Sequence, residues 1–174
     1  MNFVSLPPLI MTLKLDDESF AFFDELRRLY FPPEKNFLSA HLTLFHHLPG
    51  AELKKIESDL KLFCSGFNNF TLHFPEWRML GRGAAIKVES PELRALHRYL
   101  SHFWKDWLTA QDRQKFQPHI TVQNKVAPAE AKILYENLSA DWEPRTGTAT
   151  GLRLWHYLGA EWKSERDFFF GIEN

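Results

Sequence analysis

Apolar residues in this chain switch repeatedly between alternation and three-to-four-residue spacing, and each switch marks an element. Leu9 to Leu15 reads as a first strand. Asp16 and Asp17 are N-cap candidates for a helix carrying Phe20, Phe23, Leu26 and Leu29 at three-residue steps, ending before Pro32-Pro33. A strand follows at about 40–46. Gly50 opens a helix with Leu53, Ile56, Leu60 and Phe63 on one stripe, closed by Gly66. Two strands are predicted at roughly 69–80 and 83–89, turning at Gly81-Arg82-Gly83.

The second half repeats this order. Ser90-Pro91-Glu92 is a strong helix start, with proline at the first helical position and an acid in the first turn. Leu93, Leu96, Leu100, Phe103 and Trp107 supply its apolar stripe. Pro118 precedes a strand at about 119–125, and a helix runs from Pro128 to about Leu138. A hairpin at about 148–157 and 164–172 turns near Gly159-Ala160. Helix, strand, helix and strand pair thus occur twice, which predicts an internal duplication within one domain spanning residues 1–174. The expected fold is α+β: two pseudo-symmetric lobes, each an antiparallel sheet with helices on its outer face, and a central groove between them.

One tetrapeptide pattern is written into the corresponding strand of each half. His41-Leu42-Thr43-Leu44 and His119-Ile120-Thr121-Val122 both read histidine–apolar–threonine–apolar, and no other His-x-Thr occurs. At this composition chance supplies about 0.07 such tetrapeptides, so a pair calls for a cause. Strand alternation puts His41, Thr43 and Phe45 on one face, opposite Leu42 and Leu44. In the second strand His119, Thr121, Gln123 and Lys125 share a face, opposite Ile120 and Val122. With the apolar faces under helices, a pseudo-twofold turns both polar faces toward one groove.

Such a groove suits a phosphodiester. In-line attack on phosphorus needs a base to take the nucleophile's proton and an acid to protonate the leaving oxygen. Histidine, with an ordinary pKa of about 6.5, performs either task near neutral pH. A threonine hydroxyl donates to the non-bridging phosphate oxygens. His41 and His119 are therefore the expected catalytic pair, and Thr43 and Thr121 the phosphate binders; symmetry leaves open which histidine is acid and which base. The scheme requires no metal and no cofactor. Lys125 is a further candidate for phosphate contact, and Trp155 and Tyr157, flanking His156, are candidates to stack on a base.

The motifs Ala40-His41-Leu42-Thr43-Leu44 and Gln117-Pro118-His119-Ile120-Thr121-Val122 resemble those of the two-histidine phosphoesterase superfamily, specifically its 2′-5′ RNA ligase and cyclic phosphodiesterase branch. The resemblance implies a bilobal α+β fold and metal-independent hydrolysis of 2′,3′-cyclic or related (2′,5′-linked) phosphodiesters at a nucleotide or RNA terminus. One position departs. Ligase-named members often carry an arginine three positions after the second threonine, where this chain has Asn124 beside Lys125. That change leaves the core chemistry intact but weakens transfer of a particular RNA substrate or of ligation. Two alternatives stand beside hydrolysis: RNA 2′-5′ ligation, and a nucleotide or RNA-end binding module without significant turnover.

Bulk properties narrow the partners. A net charge of −1 and a pI near 6.7 argue against the broad basic face that long duplex nucleic acid requires. The single cysteine, Cys64, excludes an intrachain disulfide framework and is expected to be buried beside Leu60 and Phe63. Met1 to Asp16 lacks a basic region, its apolar run is broken by Pro7 and Pro8, and no run is long enough for a bilayer. A cytoplasmic monomer without membrane contact is expected. His46 and His47 read as a loop before Leu48-Pro49-Gly50, since no carboxylate or cysteine completes a metal set at typical spacing; His47 shares His41's parity. His73, His97 and His102 are assigned packing or surface roles, and Arg78, Arg82 and Lys87 are donors without a fixed place.

Overall fold

The computed structural model describes residues 6–171, and its elements fall where the apolar periodicity changes. In chain order these are β1 (Leu9–Leu15), α1 (Asp17–Tyr30), β2 (Leu42–Leu48), α2 (Leu53–Ser65), β3 (Phe70–Phe74), β4 (Trp77–Met79), β5 (Ala84–Lys87), α3 (Pro91–Phe103), β6 (His119–Gln123), α4 (Pro128–Ala140), β7 (Arg145–Tyr157) and β8 (Trp162–Phe169). Local signals account for several boundaries. The Asp16 carboxylate accepts from the Ser19 amide at 2.8 Å and caps α1, and Ser90 Oγ accepts from the Leu93 amide at 3.3 Å, ahead of Pro91, to start α3. Ile172, the last position of the expected final strand, lies outside the described residues.

Two antiparallel sheets form the frame. The first runs β2-β1-β7-β3, with β8 also paired to β7; the second runs β4-β5-β6. At thirteen residues, β7 is long enough to hold β1 along one edge while β3 and β8 share the other. Helices α1 and α4 pack on the second sheet. α2 lies against β8, and α3 joins the first sheet through His97 on Phe45 and meets α2 through Tyr99 on Phe63. The α+β class and paired antiparallel sheets match expectation. A single apolar cluster, from Leu9 to Phe170, runs through both sheets.

The division of labour between halves differs from a simple duplication. The stretch expected as one strand over 69–80 breaks at Pro75: β3 stays in the first sheet, while β4 leaves for the second. The β4-β5 hairpin pairs with β6, and β7-β8 pairs with β1 beside β2. Each motif strand thus shares its sheet with the hairpin of the opposite half. Alternation in a sequence reports which face of a strand is buried; it carries no information on which edge the strand joins.

Helix α1 also corrects an expectation. Ser19, Phe23 and Arg27, spaced by four, are its buried positions, whereas Phe20 and Leu29 are exposed. Steps of three lose about 60° each on a helix of 3.6 residues per turn, so Phe20 and Leu29 fall on opposite faces. α3 ends at Phe103, leaving Trp107 in the turn beyond it, packed against the core. Cys64 is buried, and burial pushes its thiol up to about 12, the condition of an inert packing residue. Among the described residues no helix is long and apolar enough to cross a membrane.

Candidate active site

His41 stands immediately before β2, and His119 opens β6. Each ring is held in the same way. His41 Nδ1 lies 2.7 Å from the carbonyl of Ser39, and His119 Nδ1 lies 2.8 Å from that of Gln117, in both cases two residues back along the chain. A carbonyl only accepts, so Nδ1 carries the proton in the neutral ring and Nε2 is left free for the groove. Two imidazoles are thereby set in one tautomer by one local device.

The strands share a second device. Thr12 pairs with Thr43 and Met11 with Phe45, so Leu44 is an extra residue in β2; Ala85 pairs with Thr121 and Ala84 with Gln123, so Val122 is an extra residue in β6. A bulge directly after each motif threonine reverses the side-chain parity of the next residue, and in β2 a second register shift follows between Phe45 and Leu48. Phe45 and Gln123, expected on the histidine face, are both buried instead. His46 takes the groove side in place of His47, within a strand rather than a loop. The hairpin opposite β6 needs Gly83 to permit this pairing, since a Cβ there would lie 1.9 Å from the Gln123 carbonyl oxygen.

Helix α1 fastens the motifs to each other. Asp24 Oδ1 accepts from the amide of Ala40, the residue before His41, at 2.8 Å. Arg27, only 5% exposed, donates from Nε to Asn36 Oδ1 and the Leu38 carbonyl, both at 2.9 Å, and from its terminal nitrogen to the Thr121 carbonyl at 3.0 Å. It therefore bridges the segment leading into the first motif and the middle of the second. Burial brings this guanidinium down to about 10, against the opposing charge of Asp24.

The motif side chains meet in a groove of about 450 Å³. His41, Thr43, His119 and Thr121 line it together, with Trp162 and Arg78. The Trp162 ring sits 4.7 Å from the His41 ring. Burial is the main cause that lowers His41 to about 4; the Ser39 carbonyl opposes it, and the charges of Arg27, His119 and His46 add to it. His119 is lowered as well, again chiefly by burial, against its Gln117 hydrogen bond and with Arg78 and His46 contributing. Unliganded, both rings are therefore poised to be neutral near pH 7, and an anion between them favours protonation of either.

A family model of the 2′-5′ RNA ligase superfamily matches residues 15–161. The chain belongs to that superfamily. Comparison with curated protein sequences finds no match. Among solved structures, TT0787 of Thermus thermophilus superposes with a TM-score of 0.66 at 16% identity, covering 96% of this chain and 100% of its own. E. coli LigT in apo form gives 0.60 at 18% identity, with 95% and 98% covered. E. coli LigT complexed with 3′-AMP gives 0.59 at 18% identity, with 95% and 99% covered. The shared fold spans essentially the whole of each chain.

In this member of the superfamily the two motifs converge, but the three auxiliary candidates do not join them. Lys125 lies beyond the end of β6 with a φ of 64°, its amide bonded to Asn124 Oδ1 and its carbonyl accepting from Lys35. The strand ends too early to carry it onto the His119 face. Trp155 donates its indole N–H to Thr12 Oγ1 at 2.9 Å and lines a smaller cleft of about 210 Å³ that shares only His41 with the groove. Tyr157 is exposed at the end of β7, paired with Trp162. His97 lies flat between Phe45 and Phe116, and burial lowers it to about 4. Of the first hairpin's cations only Arg78 lines the groove; Arg82 donates to the Val126 carbonyl and Lys87 pairs with Glu76.

Sequence reading missed Trp162, His46, Asp112 and Lys115 in the groove, and the buried Arg27 behind it. A two-residue turn, closed by the Leu158 amide on the Glu161 carbonyl at 3.1 Å, starts β8 at Trp162, earlier than position 164. That tight Gly159-Ala160 turn was the available signal for Trp162. No signal pointed to Arg27 or to the register shifts that accompany the turn of His46.

Proposed function

We propose that this protein is a metal-independent phosphodiesterase that opens 2′,3′-cyclic or related 2′,5′-linked phosphodiesters at a nucleotide or RNA terminus. The observation that carries the reading is the pair of imidazoles, each tied through Nδ1 to the carbonyl two residues back, which share one groove with both motif threonines. One Nε2 takes a proton from water as its oxygen attacks phosphorus; the bond from phosphorus to the leaving ribose oxygen breaks, and the other imidazole's Nε2–H protonates that oxygen. The products are a phosphomonoester and a free hydroxyl, and solvent exchange resets the two rings. Thr43 and Thr121 hold the non-bridging oxygens, where negative charge concentrates. The likeness in fold to LigT, a protein seen with 3′-AMP, supports a nucleotide phosphate as occupant.

The experiment is hydrolysis of 2′,3′-cyclic mononucleotides and 2′,5′-linked dinucleotides in EDTA by wild type, His41→Ala and His119→Ala. Turnover in EDTA that disappears in both variants is the expected result. Turnover that survives either substitution, or that needs an added divalent ion, would overturn the mechanism.

A further inference from the structure

Beyond the motif pairs, the groove holds one more built device. Register shifts on both sides of Phe45, one after Thr43 and one before Leu48, accompany the turn of His46 to the groove side, and Asp112 holds it there. Asp112 Oδ1 accepts from His46 Nδ1 at 2.9 Å and from the His46 amide at 2.8 Å, while Oδ2 accepts from the His47 amide at 3.0 Å. The Asp112 side chain is 1% exposed against 48% for that of His46. Burial pushes the Asp112 carboxyl up, and these hydrogen bonds outweigh it and hold the group below the usual carboxylate range. An ionised, buried acid therefore spends both oxygens on orienting one histidine and its strand. With Nδ1 committed to Asp112, the ring presents Nε2 to the groove.

The surroundings indicate what Nε2 would meet. His46 lies near enough to both motif histidines for its charge to lower each of them. Arg78 and Lys115 line the same groove, and Asp112, the one acid among the described residues that line it, is already occupied. A chain of net charge −1 thus concentrates positive potential in one cleft. The volume of about 450 Å³ is that of a site for a ligand of nucleotide size, well beyond one phosphate. Thr43, Thr121 and the two motif rings suffice for the reacting phosphate, which leaves His46 and Lys115 without an assigned anion.

We infer that His46, oriented by Asp112, binds a second, non-reacting phosphate, so that the preferred substrate is a nucleotide or oligonucleotide end carrying two phosphates rather than a nucleoside with one. This rests on the groove being the phosphate site of the reading above. Protonated, the ring donates through both nitrogens at once, Nδ1 to Asp112 and Nε2 to a phosphate oxygen, as a charge-assisted hydrogen bond. The pseudo-symmetric position in the other motif, Asn124, instead bonds the Lys125 amide in a turn outside the groove. Recognition of the second phosphate is therefore one-sided.

Calorimetric titration with adenosine 3′-phosphate and adenosine 3′,5′-bisphosphate tests it. Wild type is expected to bind the bisphosphate about 10-fold more tightly, the gain of one charge-assisted contact. In His46→Ala and His46→Gln the ratio should fall to near one. Because His46 is half-exposed, both variants keep the fold, whereas Asp112 is left in place as a buried acceptor of backbone amides. A ratio near one in wild type, a preference that survives in both variants, or an equal loss for both ligands would overturn the inference. Binding is read without turnover, so the two readings fail separately. A His46-dependent preference with no hydrolysis of any cyclic phosphate would remove the phosphodiesterase and keep the second-phosphate contact; hydrolysis with a ratio near one would do the reverse.

Discussion

The two motif strands hold their histidines identically and differ in almost everything around them. Each has an Nδ1 bond to the carbonyl two residues back and a bulge immediately after the threonine. Past that point the strands diverge. Phe45 stacks on His97, where Gln123 leaves its Oε1 buried without a partner among the described residues; His46 faces the groove, where Asn124 closes a turn. Arg27 acts on His41 from inside the protein, and Arg78 acts on His119 from the groove wall. The invariant part of the pair concerns ring orientation, which the proposed acid–base chemistry on one phosphate would demand of both rings. In the proposed reaction the divergent part would surround the reacting centre, where the two ends of an asymmetric substrate need different surfaces.

Removing either histidine should give the largest effect, a loss of about 10²–10⁴ in kcat on a cyclic nucleotide. A diester with a p-nitrophenolate leaving group sharpens the comparison, because that group departs without a proton. Both rings are lowered, and because burial, the buried Arg27 and the neighbouring His119 and His46 bring His41 to about 4, we expect His41 to be the base. His119→Ala should then recover much of its rate on the activated diester while His41→Ala stays inactive. Recovery in His41→Ala alone would reverse the assignment, and equal behaviour of both variants would mean that the surrounding asymmetry does not divide their roles.

The two arginines should differ in kind. Arg27→Met leaves Asn36 Oδ1 and the carbonyls of Leu38 and Thr121 without their donor, and should cost about 2–4 kcal/mol, read as a lower Tm. Arg78→Met should leave Tm near its original value and act on the pH profile instead. A cation beside an imidazole disfavours the imidazolium, so removing Arg78 raises the His119 pKa and lets its protonated form persist to higher pH. Since burial and neighbouring charges lower both rings, the bell of kcat/KM should peak below about pH 6.5 in wild type. With His119 as the acid, its alkaline limb should move upward in Arg78→Met. A downward or absent shift would place another group on that limb.

The paired motifs were legible because two imidazoles and two hydroxyls at strand spacing, repeated in equivalent elements, have few other causes. The elements themselves were legible from periodicity, and the α+β class from their order. What stayed hidden depended on geometry that alternation does not encode. Hairpin exchange between the sheets is a choice of edge, and the register shifts that bury Phe45 and Gln123 and accompany the turn of His46 each insert one residue without any turn-forming signature. Lys125 failed for a related reason, since Asn124 ends the strand by bonding the next amide, a local competition that hydrophobic patterning cannot register. Arg27 occupies a buried helical position where an apolar residue was the natural expectation, because its hydrogen bonds reach residues distant in sequence.

The smallest effect concerns the residue that the bulge buries. Phe45 and Gln123 are equivalent by register, yet only the phenyl ring suits the apolar space it enters. Gln123 is 3% exposed and its Oε1 has no hydrogen-bond partner among the described residues, an arrangement that costs free energy for a buried amide oxygen. Gln123→Met preserves the length of the side chain and removes the polar group. It should stabilise the fold by about 1 kcal/mol, read as a higher denaturation midpoint at unchanged m-value. Because the backbone of β6 would keep its pairing, the rate on a cyclic nucleotide should stay within about 3-fold of wild type. A loss of stability would show that the amide is paired in solution, and a large loss of rate at unchanged stability would show that the second motif depends on a polar residue where the first tolerates phenylalanine.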